Sequence, residues 1–104
     1  MRINIALDCL MEESAEIIQA CSKSIRFGLF NHNPRTPDRT NTDDIMIEYY
    51  QLQAIMEIAQ SEGILPILTD EEIKSIKDDK KRKIKHYEIE RNRRNWQGKH
   101  SRQR

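Results

Sequence analysis

The sequence predicts an all-α fold, an antiparallel helical bundle of about three helices, from three observations. Apolar residues recur at helical spacing, and the β-branched ones are mostly Ile on those same stripes. No run alternates as a half-buried strand would. Only three Gly and three Pro punctuate 104 residues. A chain of this length is one domain at most and buries only roughly 60–65% of its unfolded surface. With 37% apolar and 34% charged residues, the core is thin and the solvated faces are wide. A second subunit is therefore expected to cover what one chain cannot.

The first helix is predicted over about Ile3 to Phe27, ended by Gly28. Stepping about 100° per residue from Leu10 gathers Ile3, Ala6, Leu7, Ile17, Ile18, Cys21 and Ile25 within about 80° of it. Glu13 falls near about −60°, inside that apolar sector. Glu16 falls at its margin and Glu12 on the polar side, where a solvated surface role is expected. Residues 29–40 read as a loop from their Asn-Pro and Thr-Pro turn signals. Phe30, His32, Arg35 and Arg39 are its residues with ligand-binding chemistry, although a solvated tip is the plainer reading.

The second helix is predicted to start near Asn41 or Thr42 and to end near Gly63, with Asp43 and Asp44 favourable in its first turn. Taking Leu52 as zero, Glu48 falls near about −40°, flanked by Ile55 and Ala59. Asp44 and Gln51 lie on the same edge, so the three form a polar strip along the buried side. Residues 64–68 form an apolar connector expected to pack onto the bundle. Thr69 and Glu72 then make a capping box that opens a third helix, with Ile73, Ile76, Ile84 and Tyr87 as a sparse apolar stripe. The helical domain is assigned to residues 1–95, and residues 96–104 to a basic, flexible tail.

Charge divides the chain. From Lys80 onward there are eleven Lys/Arg against two acids, about +9, and before it seven against fifteen, about −8. That asymmetry suits an intersubunit contact or a phosphate site. Cys9 and Cys21, with no Cys-x-x-Cys pattern, read as buried small apolar residues of a reducing compartment. No apolar run approaches the roughly 18 residues of a membrane span, and the first residues lack a signal-peptide pattern. A cytoplasmic location and no membrane partner are expected.

Carboxylates on apolar helix faces are costly unless they neutralise, pair or ligate a cation. The plain explanation is core ion pairing with Lys23, Arg26 or an arginine of the tail. The chemical one is that Glu13 and Glu16 from one helix, with Glu48 and either Gln51 or Asp44 from its neighbour, surround one or two cations. Oxygen donors alone suit Mg²⁺ or Mn²⁺ rather than Zn²⁺. The matching reaction class is metal-assisted attack of water on a phosphate ester or anhydride.

The run from Leu10 to Gly28, which contains Glu13-Ser14-Ala15-Glu16 and ends in Lys23-Ser24-Ile25-Arg26-Phe27-Gly28, resembles the first motif helix of the MazG-like, all-α nucleoside triphosphate pyrophosphohydrolases. Asn41, Glu48-Tyr49-Tyr50-Gln51-Leu52, Glu62-Gly63-Ile64 and the lysine-rich third helix continue the pattern over roughly residues 3 to 95, most similar to small, phage-type members. The resemblance implies Mg²⁺-dependent hydrolysis of a nucleoside triphosphate to its monophosphate and pyrophosphate by a homodimer or homotetramer. It makes Glu13, Glu16 and Glu48 the metal ligands and catalytic carboxylates. Lys23 and Arg26 become phosphate contacts, Asn41 a contact to the nucleotide or to a ligand carboxylate, and helix pairs from two subunits complete a four-helix bundle.

One position departs from the family. Gln51 stands where the second motif carries aspartate, which removes a negative charge and a base; Asp44, one turn earlier, is the substitute ligand at hand. A descendant that binds nucleotides without efficient hydrolysis is the second reading. A nucleic-acid-binding module is the third, with Lys80–Lys85 and Arg91–Arg94 tracking phosphates and Tyr87 or Trp96 stacking a base. The near balance of charge over the whole chain favours a basic helix that covers the acidic body of a neighbouring subunit.

Overall fold

The computed structural model describes residues 1–102, apart from the side chains of Asn33 and of residues 96–102. Its elements are α1 (Ile3–Phe27), β1 (His32–Asn33), β2 (Thr36–Thr40), α2 (Asn41–Ser61) and α3 (Asp70–Arg102). The chain separates into two compact units, Met1–Ile67 and a second from Leu68 onward.

In the first unit α1 packs against α2. The ammonium group of Met1 meets Glu62, past the end of α2, at 2.8 Å. At the other end, Asn41 in the first turn of α2 donates from Nδ2 to the carbonyl of Gly28 at 2.7 Å. Gly28 ends α1 at a φ of 100°, and a Cβ there would stand 2.9 Å from the Asn31 amide. Only glycine takes that backbone conformation at low cost.

The apolar residues buried between α1 and α2 are small. Ala6, Ala20 and Ala59 are enclosed, together with Ser24 and Asn41, and among the described residues no large side chain is fully buried. Close approach at small residues suits two helices in direct contact. It also leaves the larger residues of the predicted stripe uncovered, with Ile18 at 69% and Ile25 at 83% exposure. Cys21 is exposed and Cys9 half-buried, which corrects the expectation of two buried thiols. The reason is the same: one neighbouring helix covers only a narrow sector of α1.

The segment predicted as a loop contains a two-stranded antiparallel ribbon, pairing His32 with Thr40 and Asn33 with Thr36 around an irregularity. It is tied to the helix ends by Asn41 N–H to the Asn31 carbonyl at 2.9 Å and Thr42 N–H to the Leu29 carbonyl at 3.1 Å. Pro37 inside β2 hides the strand from a sequence reading, since proline removes a ladder donor. The cap of α2 is Thr40 rather than Asn41 or Thr42. Thr40 Oγ1 accepts from the Asp43 amide at 3.2 Å, while Asp43 Oδ2 accepts from the Thr40 amide at 2.9 Å. The Thr40 amide first, and then the Thr40 hydroxyl, hold the Asp43 carboxyl below the usual carboxylate range.

Beyond α2, Ile64 and Leu65 of the connector are half-buried and Ile67 is exposed. The amides of Ile64 and Leu65 both donate to the Ala59 carbonyl. The second unit opens with the expected capping box: Glu72 N–H donates to Thr69 Oγ1 at 3.1 Å, and the Thr69 amide to Glu72 Oε1 at 3.2 Å. The α3 backbone is helical through Arg102. The expected flexible tail, residues 96–104, falls on side chains and on two final residues outside the described ones. Ile73, Ile76, Ile84 and Tyr87 are exposed. Among the described residues no helix is long and apolar enough to cross a membrane.

Candidate functional site

The two acidic strips face one another across the α1–α2 contact. Glu48 and Asp44 of α2 and Glu16 of α1 line a small cavity of about 150 Å³, with Lys23 and Arg39 at its cationic edge and Thr36 of β2 beside them. Glu13, one turn before Glu16, is half-buried, and its Oε2 is enclosed without a hydrogen-bond partner. Burial first, then the charges of Glu16, Glu13 and Asp44, push the Glu48 carboxyl above its ordinary range; Arg39 pulls the other way.

Helical geometry explains the convergence. Glu13 and Glu16 stand three residues apart on α1, and Asp44 and Glu48 four apart on α2, so each pair shares a face. The ribbon adds what the helices do not supply. Arg39 reaches back from β2, and its Nε sits 3.2 Å from Asp44 Oδ1, too oblique for a hydrogen bond. Asp44 is therefore already partnered by a cation, whereas Lys23 has no ion pair among the described residues.

Lys23 also lines a second, larger cavity of about 540 Å³, with Phe27, Asn31, His32, Pro34 and Asn41. That volume is in the range of small-molecule sites. One wall is the last two turns of α1 and the other is the ribbon. The two cavities share Lys23, so an anionic group beside it is within reach of both.

The remaining sequence-predicted residues divide. Asn41 is buried, lines the larger cavity and spends its amide nitrogen on Gly28. Arg26 is exposed, lines neither of these cavities, and stacks its guanidinium 5.1 Å from the centre of the Phe27 ring. Gln51 is exposed and lines neither cavity. Glu12 is on the surface, as expected. Sequence reading named Arg39 and His32 as loop residues with ligand-binding chemistry, with a solvated tip as the plainer reading, and gave Phe27 and Asn31 no role. A Pro-flanked segment placed right after a helix-ending glycine was the available signal.

The donor set fits a hard divalent cation, because it is all carboxylate oxygen and one of those oxygens is orphaned. The side chains are not drawn together around a point: among the described residues no three His, Cys, Asp or Glu are grouped as a metal site. Mutual repulsion opposes closer approach of four like charges. Comparison of the chain with protein-family models, with curated proteins and with solved structures finds no match.

Proposed function

We propose that this chain is a Mg²⁺-dependent nucleoside triphosphate pyrophosphohydrolase. The observation that carries this reading is a pair of cavities that share Lys23 in their linings, one acidic and the other of nucleoside size, with Lys23 in no ion pair among the described residues. Glu13, Glu16, Glu48 and, once released from Arg39, Asp44 would hold the ion. Bound Mg²⁺ would supply charge neutralisation and polarisation at the phosphate oxygens.

The chain's own residues carry the rest. Lys23, which lines both cavities and forms no ion pair among the described residues, would hold the phosphates. Phe27 offers a ring face to the nucleoside. Glu48, which shares the acidic cavity with Glu16 and Lys23, is the carboxylate assigned to take the proton of the attacking water. A water oxygen bonds to phosphorus, the bridging P–O bond breaks, the water's proton passes to Glu48, and pyrophosphate leaves.

A second reading, nucleotide binding without efficient turnover, is favoured by one observation: Gln51 is exposed and off the cavity, so the second motif contributes only Glu48 there. A homodimer or homotetramer accompanies either reading. Met11, Ile18 and Ile25 of α1 are too exposed for the first unit to be complete without a covering copy, and contiguous apolar surface of this kind marks an interface. The test is pyrophosphate release from nucleoside triphosphates with Mg²⁺ or Mn²⁺, with Glu13→Gln as control. Release that disappears in the control supports the enzyme. Tight nucleotide binding with no release supports the second reading, and neither binding nor release removes both.

A further inference from the structure

We infer that one face of α3 is a docking surface for single-stranded nucleic acid. The inference is independent of the hydrolase reading and rests on where the charges of α3 stand around its axis. Setting Lys80 at zero and stepping about 100° per residue, Lys77, Arg91 and Arg94 fall within about 60° of it. Ile76, Ile84 and Tyr87 share that sector, and all seven residues are exposed. No acid falls in it: Asp70 and Glu88 lie at about 80°, Glu72 and Glu90 at about −80°, and the other acids of α3 further round.

The ion pairs of the helix follow the same division. Arg82 meets Asp79 at 3.5 Å and Arg93 meets Glu90 at 3.4 Å, and both arginines stand more than about 130° from Lys80. Lys83, at the edge of the sector, turns to Asp79 at 3.1 Å. Lys77, Lys80, Arg91 and Arg94 have no ion pair among the described residues. For Lys77 and Lys80 the sequence supplies the cause. No acid stands three or four residues away on either side, so the helix offers them no partner.

From Lys77 to Arg94 the face runs roughly 25 Å at about 1.5 Å per residue, which suits a linear polyanion. A lipid surface fits poorly. Lys80 and Arg91 stand among Ile76, Ile84 and Tyr87, and a helix lying in a membrane needs its apolar side uninterrupted. The first unit of a second copy also fits poorly. The exposed apolar residues Leu7, Met11, Ile18 and Ile25 of α1 carry no charge to answer the cations, and Asp43, Asp44 and Glu62 are already partnered. Charge complementarity therefore selects nucleic acid, whose phosphates meet the cations while a base stacks on the Tyr87 ring. The width of the sector selects a single strand. In a duplex groove phosphates stand on both flanks of a helix, where Glu88 and Glu90 would face them. A strand laid along the face meets neither.

The test is fluorescence anisotropy of mixed-sequence DNA and RNA strands of about 12 nucleotides, titrated with the full chain over a salt series without nucleotide or Mg²⁺. Binding of either strand type is expected, and the two arms tell which sugar is preferred. Four neutralised phosphates predict a slope of log K against log salt of about −3. Lys80→Gln with Arg91→Gln should reduce that slope to about half. Arg82→Gln with Arg93→Gln removes the same charge from the far side and should leave the slope near its parent value. Tyr87→Ala should weaken binding about tenfold. Equal losses from the two pairs of substitutions, tighter binding of a duplex of the same length, or no binding of either strand would overturn the assignment. So would binding to phosphatidylserine vesicles, or self-association through the same face, with no strand bound. None of these outcomes touches the hydrolase reading, whose residues lie in α1 and α2.

Discussion

The α1–α2 unit and α3 contain the same charged residue types and use them in opposite ways. Along α3 carboxylates meet cations one turn away: Asp78 with Lys74 at 2.5 Å, Asp79 with Lys83 at 3.1 Å and Glu90 with Arg93 at 3.4 Å. Such pairs one turn apart are worth roughly 0.2–0.5 kcal/mol each. Between α1 and α2, Glu13, Glu16, Asp44 and Glu48 crowd together, with Arg39 paired to Asp44. A carboxylate in a helix carries little information by itself. It becomes informative when the fold withholds a counterion.

The contrast breaks most visibly at Glu48. Glu48→Gln should lower pyrophosphate release by about a hundredfold or more if Glu48 is the base. Asp79→Asn in α3 should leave the rate within about twofold and stability within roughly 0.5 kcal/mol. The pH dependence sharpens the same point. Folded Glu48 holds its proton above the ordinary value of 4.5, so the native state binds more protons than the unfolded chain between that value and the raised one. Stability therefore falls as pH rises through that window, while activity that needs the carboxylate rises. At neutral pH, Glu48→Gln should raise Tm by roughly 1–4 °C, because about 1 kcal/mol moves a domain of this size by 4–8 °C and a solvent-screened carboxylate is worth a fraction of that. A lower Tm in the variant would mean that the charged form is stabilising and the carboxylates are not in conflict.

Next in size, Lys23→Met should raise KM for a nucleoside triphosphate about tenfold or more by removing a charged contact to phosphate. Lys81→Met in α3 is the matched control, and an equal effect there would move the phosphate contact to the third helix. At the cap of α2, Thr40→Ala should cost about 1 kcal/mol of stability, read as a loss in the thermal or urea midpoint. The Thr40 amide keeps its bond to the Asp43 carboxyl in this variant and only the hydroxyl's share is lost, so acid sensitivity below a pH of about 4 should fall only slightly. The smallest effect is assigned to Gln51→Asp. With Gln51 exposed and off the cavity, the rate should change by less than about threefold, judged against the ordinary spread of surface substitutions. A rise of tenfold would bring residue 51 into the site.

Much of the helical framework was legible residue by residue. The bounds of α1 match their prediction, Ile3–Phe27, because a sustained apolar period and a single glycine in a left-handed conformation mark them locally. Thr69 and Glu72 opened α3 as read, since a capping box is complete within four residues. The cap of α2 slipped by one residue because Thr40, Asn41 and Thr42 are all competent caps and the ribbon chooses among them. Gln51 was read onto the buried edge with Glu48, and its exposure comes from the narrowness of the contact that a single neighbouring helix makes.

Which stretches are helical, where they stop, and that Glu13 and Glu48 lie on apolar faces were determined by the sequence, because periodicity, capping and glycine act over a few residues. That Glu16, Asp44 and Glu48 share one cavity with Lys23 was decided only in three dimensions, as was the arrival of Arg39 from β2 at Asp44 and the presentation of Asn31, His32 and Asn41 by their backbone bonds. The shared cavity and the Asn41 bond to Gly28 depend on how residues far apart in the chain meet, and the shorter-range contacts of Arg39, Asn31 and His32 on how the ribbon folds back. Such meetings are set by the packing of alanines between two helices and by a short ribbon, and no local pattern encodes them.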